Sequence, residues 1–149
     1  MILQETYSIE DCAYYNSNTV TIITDVSIPL PSAFELSFIV RRTTWNSNAS
    51  YLEVGGNTGN TALVGQLGSS GESRVRFYSN EGSSSYTETS VSNNPINADT
   101  VYIWVKNGSD NTFSMNDESV EVSNSLTHSK IRKLNITNNS IKELKVKPL

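Results

Sequence analysis

Apolar and polar residues alternate with a period of two along much of this chain. In "AFELSFIV", Phe34, Leu36, Phe38 and Val40 point one way while Glu35 and Ser37 point the other, which is the pattern of a strand with one buried face. Segments rich in β-branched and aromatic residues recur at 19–24, 50–55, 61–67, 73–79 and 100–106, each bounded by Gly, Asn or Ser clusters. The last of these runs through Asn107-Gly108, a strong hairpin signal, into "TFSMN" and then "SVEV". "KLNIT" and "IKELKVKPL" close the chain. The pattern predicts an all-β protein, a two-sheet antiparallel β-sandwich or jelly roll, with residues 1–149 forming one domain. The only segment with a trace of helical character, "SLTHSKIRKL" at 125–134, does not hold an apolar stripe.

The alternation also sorts side chains into faces. In "VYIWVK", Val101, Ile103 and Val105 share one face, and Tyr102, Trp104 and Lys106 the other. In "RVRFY", Val75 and Phe77 oppose Arg74, Arg76 and Tyr78. The expected core is therefore Phe34, Leu36, Phe38, Val40, Val75, Phe77, Val101, Ile103 and Val105. The opposite faces are aromatic and basic, suited to stacking on sugar rings and to bonding hydroxyl or acidic groups. The alternative is that Tyr102 and Trp104 are covered by the second sheet or a loop, as large rings usually are. Trp45 stands among Thr43, Thr44, Asn46, Ser47 and Asn48 in the connection after Arg42. It is either an exposed plate, with Asn46 and Asn48 beside it for a sugar, or a ring folded back to cap the sandwich.

Charge narrows the partners. Eleven Lys and Arg stand against fifteen Asp and Glu, so no basic face for nucleic acid is expected. The end is different: from Lys130 onward the basic residues are Lys130, Arg132, Lys133, Lys142, Lys145 and Lys147, with Glu143 the one acid. Protection of an edge strand is the plain reading of those lysines, and an anionic-ligand patch is the alternative. No segment approaches the length and apolarity of a membrane span, so no membrane insertion is expected. "MILQETYSIEDC" has neither a basic start nor a long apolar run, so no signal peptide is expected. The bias toward Ser, Thr and Asn suits extracellular or virion β proteins, and Asn48, Asn107, Asn135 and Asn138 each open an Asn-x-Ser/Thr sequon.

Candidate chemistry is sparse. Cys12 is the only cysteine, which excludes an intrachain disulfide and reads as a small buried hydrophobe. His128 is the only histidine and reads as a solvated loop residue, with no Gly-x-Ser-x-Gly elbow to partner it. The glycines of "GQLGSSG", 65–71, lack the Lys of a phosphate loop and read as a turn with a flexible tip. Asp99, Asp110 and Asp117, with Asn107 and Asn111, are the candidate calcium oxygens, but no dense Asp-x-Asp pattern gathers them. They read as turn residues, and no metal or cofactor is expected.

Three stretches carry a family resemblance. "LPSAFELSFIVRR" (30–42), "VYIWVKNGSDNTFSMNDESVEV" (101–122) and "IKELKVKPL" (141–149) together resemble the early strand, the three-strand meander and the last strand of the concanavalin A-like lectin/glucanase superfamily. The likeness is to its laminin-G-like jelly-roll modules, as found on viral tail proteins and prokaryotic adhesins. That resemblance implies a jelly roll and a cell-surface polysaccharide or glycan as partner, on a virion or at a cell surface. The superfamily's hydrolases place acids in a Glu-x-Asp-x-x-Glu pattern or a close variant, because two carboxyl groups must flank the scissile bond. This chain has no such pattern; Glu10-Asp11 and Asp117-Glu118 are adjacent pairs. The expectation is a non-catalytic carbohydrate-binding module with contacts at Trp45, Asn46, Asn48, Arg74, Arg76, Tyr78, Tyr102 and Trp104. The alternative is a structural or oligomerisation domain of a tail fibre or adhesin, a homo-oligomer formed through its parent protein.

Overall fold

The strict alternation of Phe34 to Val40 becomes the strand at the centre of the structure. The computed structural model describes residues 7–9, 22–23, 27–42, 51–67, 72–93, 97–135 and 139–149. These form strands β1 (Tyr7–Ile9), β2 (Ile22–Ile23), β3 (Ile28–Pro29), β4 (Phe34–Arg42), β5 (Leu52–Gly55), β6 (Asn60–Leu67) and β7 (Glu72–Tyr78). They continue as β8 (Tyr86–Asn93), β9 (Asp99–Asn107), β10 (Asp110–Met115), β11 (Glu118–Ser123), β12 (Lys130–Asn135) and β13 (Asn139–Pro148). Six strands make sheet I in the order β1-β13-β4-β9-β10-β11. Seven make sheet II, in the order β2-β12-β5-β6-β7-β8 with β3 also on β12. Every pairing is antiparallel. The protein is an all-β, two-sheet jelly-roll sandwich.

Phe34, Leu36, Phe38, Val40, Val75 and Phe77 are buried between the sheets as the alternation predicts. Strand β9 is turned the other way from the expectation. Tyr102 and Trp104 are both 0% exposed and Lys106 is buried, whereas Val101 is 39% exposed and Ile103 and Val105 are half-buried on the outside. The reason is register: Phe34 lies opposite Lys106, Leu36 opposite Trp104 and Phe38 opposite Tyr102, and directly paired residues share a face.

The polar atoms carried inward are satisfied. Trp104 Nε1 donates to Asn111 Oδ1 at 2.9 Å. The Tyr102 hydroxyl lies 2.7 Å from Ser73 Oγ, linking β9 of one sheet to β7 of the other. Lys106 Nζ caps the end of the core by donating to the carbonyls of Gly108 (2.6 Å) and Asn124 (3.3 Å). Trp104 meets Phe34 edge-on at 5.0 Å, and Phe38 stacks on Tyr102 at 5.1 Å.

Several local expectations need correction. Gly65 is no turn residue: it sits in β6 at φ 86°, where the pairing with β7 slips by one residue. A Cβ there would lie 1.9 Å from the buried Tyr51 ring. Gly65→Ala therefore combines a left-handed backbone with overpacking, and a loss of about 2 to 3 kcal/mol is expected in a urea melt. In β13 a second irregularity, with Glu143 at φ 53°, resets the alternation so that Ile141, Leu144 and Val146 all face inward. The basic residues of the C-terminal region do not guard an edge. β13 runs between β1 and β4, and β12 between β2 and β5. The segment 125–134 holds no helix; it is extended and enters β12 at Lys130.

Candidate functional site

The outer face of sheet II gathers the polar and aromatic side chains that alternation leaves outside. Reading across the sheet, Lys133 of β12 is opposite Glu53 of β5, Glu53 opposite Leu63 of β6, Leu63 opposite Arg76 of β7, and Arg76 opposite Glu88 of β8. One row of five strands thus reads Lys, Glu, Leu, Arg, Glu.

Its β7–β8 end is a clamp around one carboxylate. Arg74 Nη1 donates to Glu88 Oε1 at 2.7 Å, and Arg76 donates to Oε2 through Nε (3.0 Å) and Nη2 (2.8 Å). β8 is the last strand of the sheet among the described residues, yet the Glu88 side chain is only 20% exposed. Partial burial pushes the Glu88 carboxyl up, but the two guanidinium groups outweigh it and hold its pKa below the ordinary glutamate value. The Arg76 guanidinium also lies 3.7 Å over the ring of Tyr86, which meets Tyr78 edge-on at 5.9 Å. Tyr86 is 46% exposed, and the side chains of Arg74 and Arg76 are 31% and 15% exposed.

The β12–β5 end is a second polar cluster. Lys133 Nζ is 3.2 Å from Glu53 Oε2, Asn60 Nδ2 donates to Glu53 Oε1 at 2.8 Å, and Arg132 Nη1 donates to Asn60 Oδ1 at 2.6 Å. Arg74, Arg76, Arg132 and Lys133 share this face with Glu53 and Glu88, and the Glu81 carboxylate lies close enough to Arg132 to be stabilised by its charge.

The structure brings together three of the sequence-predicted contacts, Arg74, Arg76 and Tyr78, all on β7. Tyr102 and Trp104 are excluded as ligand contacts, because both are wholly buried between the sheets. Trp45, Asn46 and Asn48 lie outside the described residues. Sequence reasoning missed Tyr86 and Glu88 because it missed β8. "YTETSVSN" has the Thr and Tyr content of a strand, but as an edge it lacks the apolar alternation of a buried one.

The remaining candidates take structural places. His128 is no solvated loop residue: it is 1% exposed, packed 5.0 Å from Trp104 and 5.9 Å from Phe77, with Nδ1 2.6 Å from Thr61 Oγ1. Its Nε2 is buried with no hydrogen-bond partner among the described residues. Burial, and secondarily the charge of Lys106, lower its pKa to about 3. Of the candidate calcium oxygens, Asp99 lies 3.7 Å from Arg41, and Asn111 is committed to Trp104. No group of three or more His, Cys, Asp or Glu among the described residues is placed to hold a metal ion.

No protein-family model matches the sequence, and no curated protein sequence matches it. Solved structures do. The galectin LEC-6 of Caenorhabditis elegans aligns with a TM-score of 0.65 at 12% identity, over 93% of this chain and 94% of that one. The carbohydrate-binding module CBM66 of Bacillus subtilis aligns at 0.59 and 9% identity, over 89% and 84%. A toad ovary galectin in complex with thio-digalactose aligns at 0.54 and 10% identity, over 85% and 97%. Such low identity speaks to the fold alone: the chain has the concanavalin A-like jelly-roll fold that these lectin and carbohydrate-binding structures share.

Proposed function

We propose that the chain is a glycan-binding module and that the outer face of sheet II, centred on Arg74, Arg76, Glu88, Tyr78 and Tyr86, is its binding surface. The observation that carries this is the Arg74–Glu88–Arg76 clamp beside an exposed tyrosine. Glu88 fixes both guanidinium groups, so their positions are set before a ligand arrives, and less entropy is lost on binding. The Tyr86 ring supplies the apolar plate that a pyranose face packs on. Similarity in fold to galectins and to a carbohydrate-binding module supports the reading. Two guanidinium groups side by side favour glycans that carry carboxylate or sulfate groups.

The reading is of binding without hydrolysis. Glu53 and Glu88, the carboxylates of the central row, are three strand spacings apart, about 14 Å, beyond the roughly 5 to 10 Å that glycoside cleavage uses. Glu88 also has a lowered pKa, the opposite of what a general acid requires. Trp45, with Asn46 and Asn48, is proposed as a further contact from the connection between β4 and β5. A virion or cell-surface setting is part of the proposal and rests on the sequence resemblance and the Ser, Thr and Asn bias.

A glycan array that includes uronic-acid and sulfated saccharides tests this, followed by affinity measurement on the best ligand. Arg76→Ala and Tyr86→Ala are each expected to weaken binding at least about tenfold, with a small fall in melting temperature for the exposed Tyr86 and a larger one for Arg76, which is 15% exposed and paired with Glu88. Trp45→Ala is expected to weaken binding at unchanged melting temperature. Full affinity in Arg76→Ala would remove this face from the site.

A further inference from the structure

The opposite side of the sandwich raises a separate question. The outer face of sheet I carries an apolar stripe where a solvated sheet would be polar: Val101, Ile103 and Val105 down β9, with Ile39 beside them on β4. Val101 is 39% exposed and the other three are half-buried. Charge is distributed on either side of that stripe by strand. Lys145 and Lys147 lie on β13, two strands to one side of β9. Glu121 lies on β11, two strands to the other side, and Asp110 on β10. Register fixes their height as well. Lys147 pairs with Glu35 and Glu35 with Val105; on the other side Val105 pairs with Thr112 and Thr112 with Glu121. The row therefore reads Lys147, Glu35, Val105, Thr112, Glu121, with an apolar centre, a cation at one end and an anion at the other.

We infer that this face binds a second copy of the chain, face to face, about a two-fold axis running along β9. A two-fold axis parallel to the strands keeps height and exchanges left for right. It lays Val101, Ile103 and Val105 on the partner's stripe and brings Lys147 over the partner's Glu121, twice per dimer. The other in-plane choice, an axis across the strands, keeps Lys147 on the β13 side and forfeits both of its pairings with the partner's Glu121. Packed sheets lie about 10 Å apart, a gap that Lys and Glu side chains span. Asp110, Thr112, Glu121 and Ser123, with Asn111 and Val122, line a recess of about 490 Å³ on the acidic flank, which gives the incoming lysine a seat. Among the described residues Lys147 has one loose ionic contact, 3.9 Å from Glu35, with both side chains open to water. The five strands from β13 to β11, at about 4.8 Å spacing and about eight residues deep, cover roughly 630 Å² per copy. That is somewhat below the roughly 800 Å² per partner of a standard interface, so the dimer is weak and reversible.

Sedimentation equilibrium of the full chain between about 10 µM and 1 mM tests the inference, with a dimer Kd expected inside that range. Ile103→Lys puts like charges together near the axis and should leave only monomer. Lys147→Glu and Glu121→Lys should each weaken the dimer at least about tenfold. The double variant Lys147→Glu/Glu121→Lys should restore it to within about threefold, because each residue meets the other across the axis. All these side chains are on the outside, so circular dichroism melts should stay close to the parent's. A monomer at 1 mM overturns the inference. So does a dimer that survives Ile103→Lys, or a double variant no stronger than the single ones.

Discussion

Trp104→Ala is expected to lower the free energy of unfolding by about 4 to 5 kcal/mol, the upper range for losing a buried aromatic ring. The ring is 0% exposed and makes edge-on contacts with Phe34, Phe77 and His128. Truncation also takes away the Nε1–H that Asn111 Oδ1 accepts, leaving a buried polar atom short of a partner. Urea denaturation checks this, with Val101→Ala on the outer face of the same strand as the control, expected within about 0.5 kcal/mol of the parent. A Trp104→Ala protein that loses less than about 1 kcal/mol would mean that β9 presents its aromatic face to solvent.

Acid should unfold the protein through His128. Its folded pKa, about 3, lies below the ordinary histidine value of 6.5. The cause is first burial and then the nearby Lys106. The hydrogen bonds agree. The Thr61 hydroxyl donates to the Val54 carbonyl, which assigns the imidazole proton to Nδ1 and leaves Nε2 bare in a site with no acceptor for a second proton among the described residues. Above pH 6.5 both the folded and the unfolded chain hold a neutral imidazole, and stability is indifferent to this group. Between pH 6.5 and 3 only the unfolded chain takes up the proton. Stability then falls with falling pH by about 1.4 kcal/mol per unit, to a total on the order of 5 kcal/mol. Glu88, with its lowered pKa, adds a further loss that begins only near the unfolded glutamate pKa, about 4.3. Urea melts from pH 7.5 to 4.5 on the parent and on His128→Gln separate the two. The slope between pH 6.5 and 5 should disappear in His128→Gln, whose absolute stability at pH 7.5 is lower for lost packing. An unchanged slope would assign it to other groups.

The two strands beside one another at the centre of sheet I show why some of this was legible in the sequence and some was not. On β4 only one face is apolar enough to bury, so Phe34, Leu36, Phe38 and Val40 assign themselves. On β9 both faces are apolar, one aliphatic and one aromatic, and alternation has no preference between them. The choice is made by pairing with β4, a long-range fact. His128 is likewise opaque: its partner Thr61 is 67 residues away, and nothing adjacent in "LTHSK" signals burial. The candidate site was half visible. Arg74, Arg76 and Tyr78 follow from one clean alternating strand. Glu88 and Tyr86 complete the clamp from an edge strand, where solvent on one side removes the apolar signal that marks strands elsewhere.

The pairing error on β9 has a functional consequence. It placed Tyr102 and Trp104 on the outside of the sandwich, among the expected ligand contacts. With Tyr102 and Trp104 inside, the aromatic-plus-arginine surface that remains is on sheet II, and the aliphatic stripe of sheet I is left for a different use. The two faces point in opposite directions, so a dimer through sheet I would present two glycan faces outward, and bivalent contact raises avidity wherever both sites can engage at once.

The most direct test of where a glycan binds is an amide NMR titration of the isotopically labelled protein with the best array ligand. Shift changes are predicted to cluster at Arg74, Arg76, Tyr78, Tyr86, Glu88, Glu53 and Asn60 on the outer face of sheet II, and to leave Val101, Ile103 and Val105 unmoved. Saturable changes confined to the outer face of sheet I, or no saturable change with any saccharide, would contradict the account.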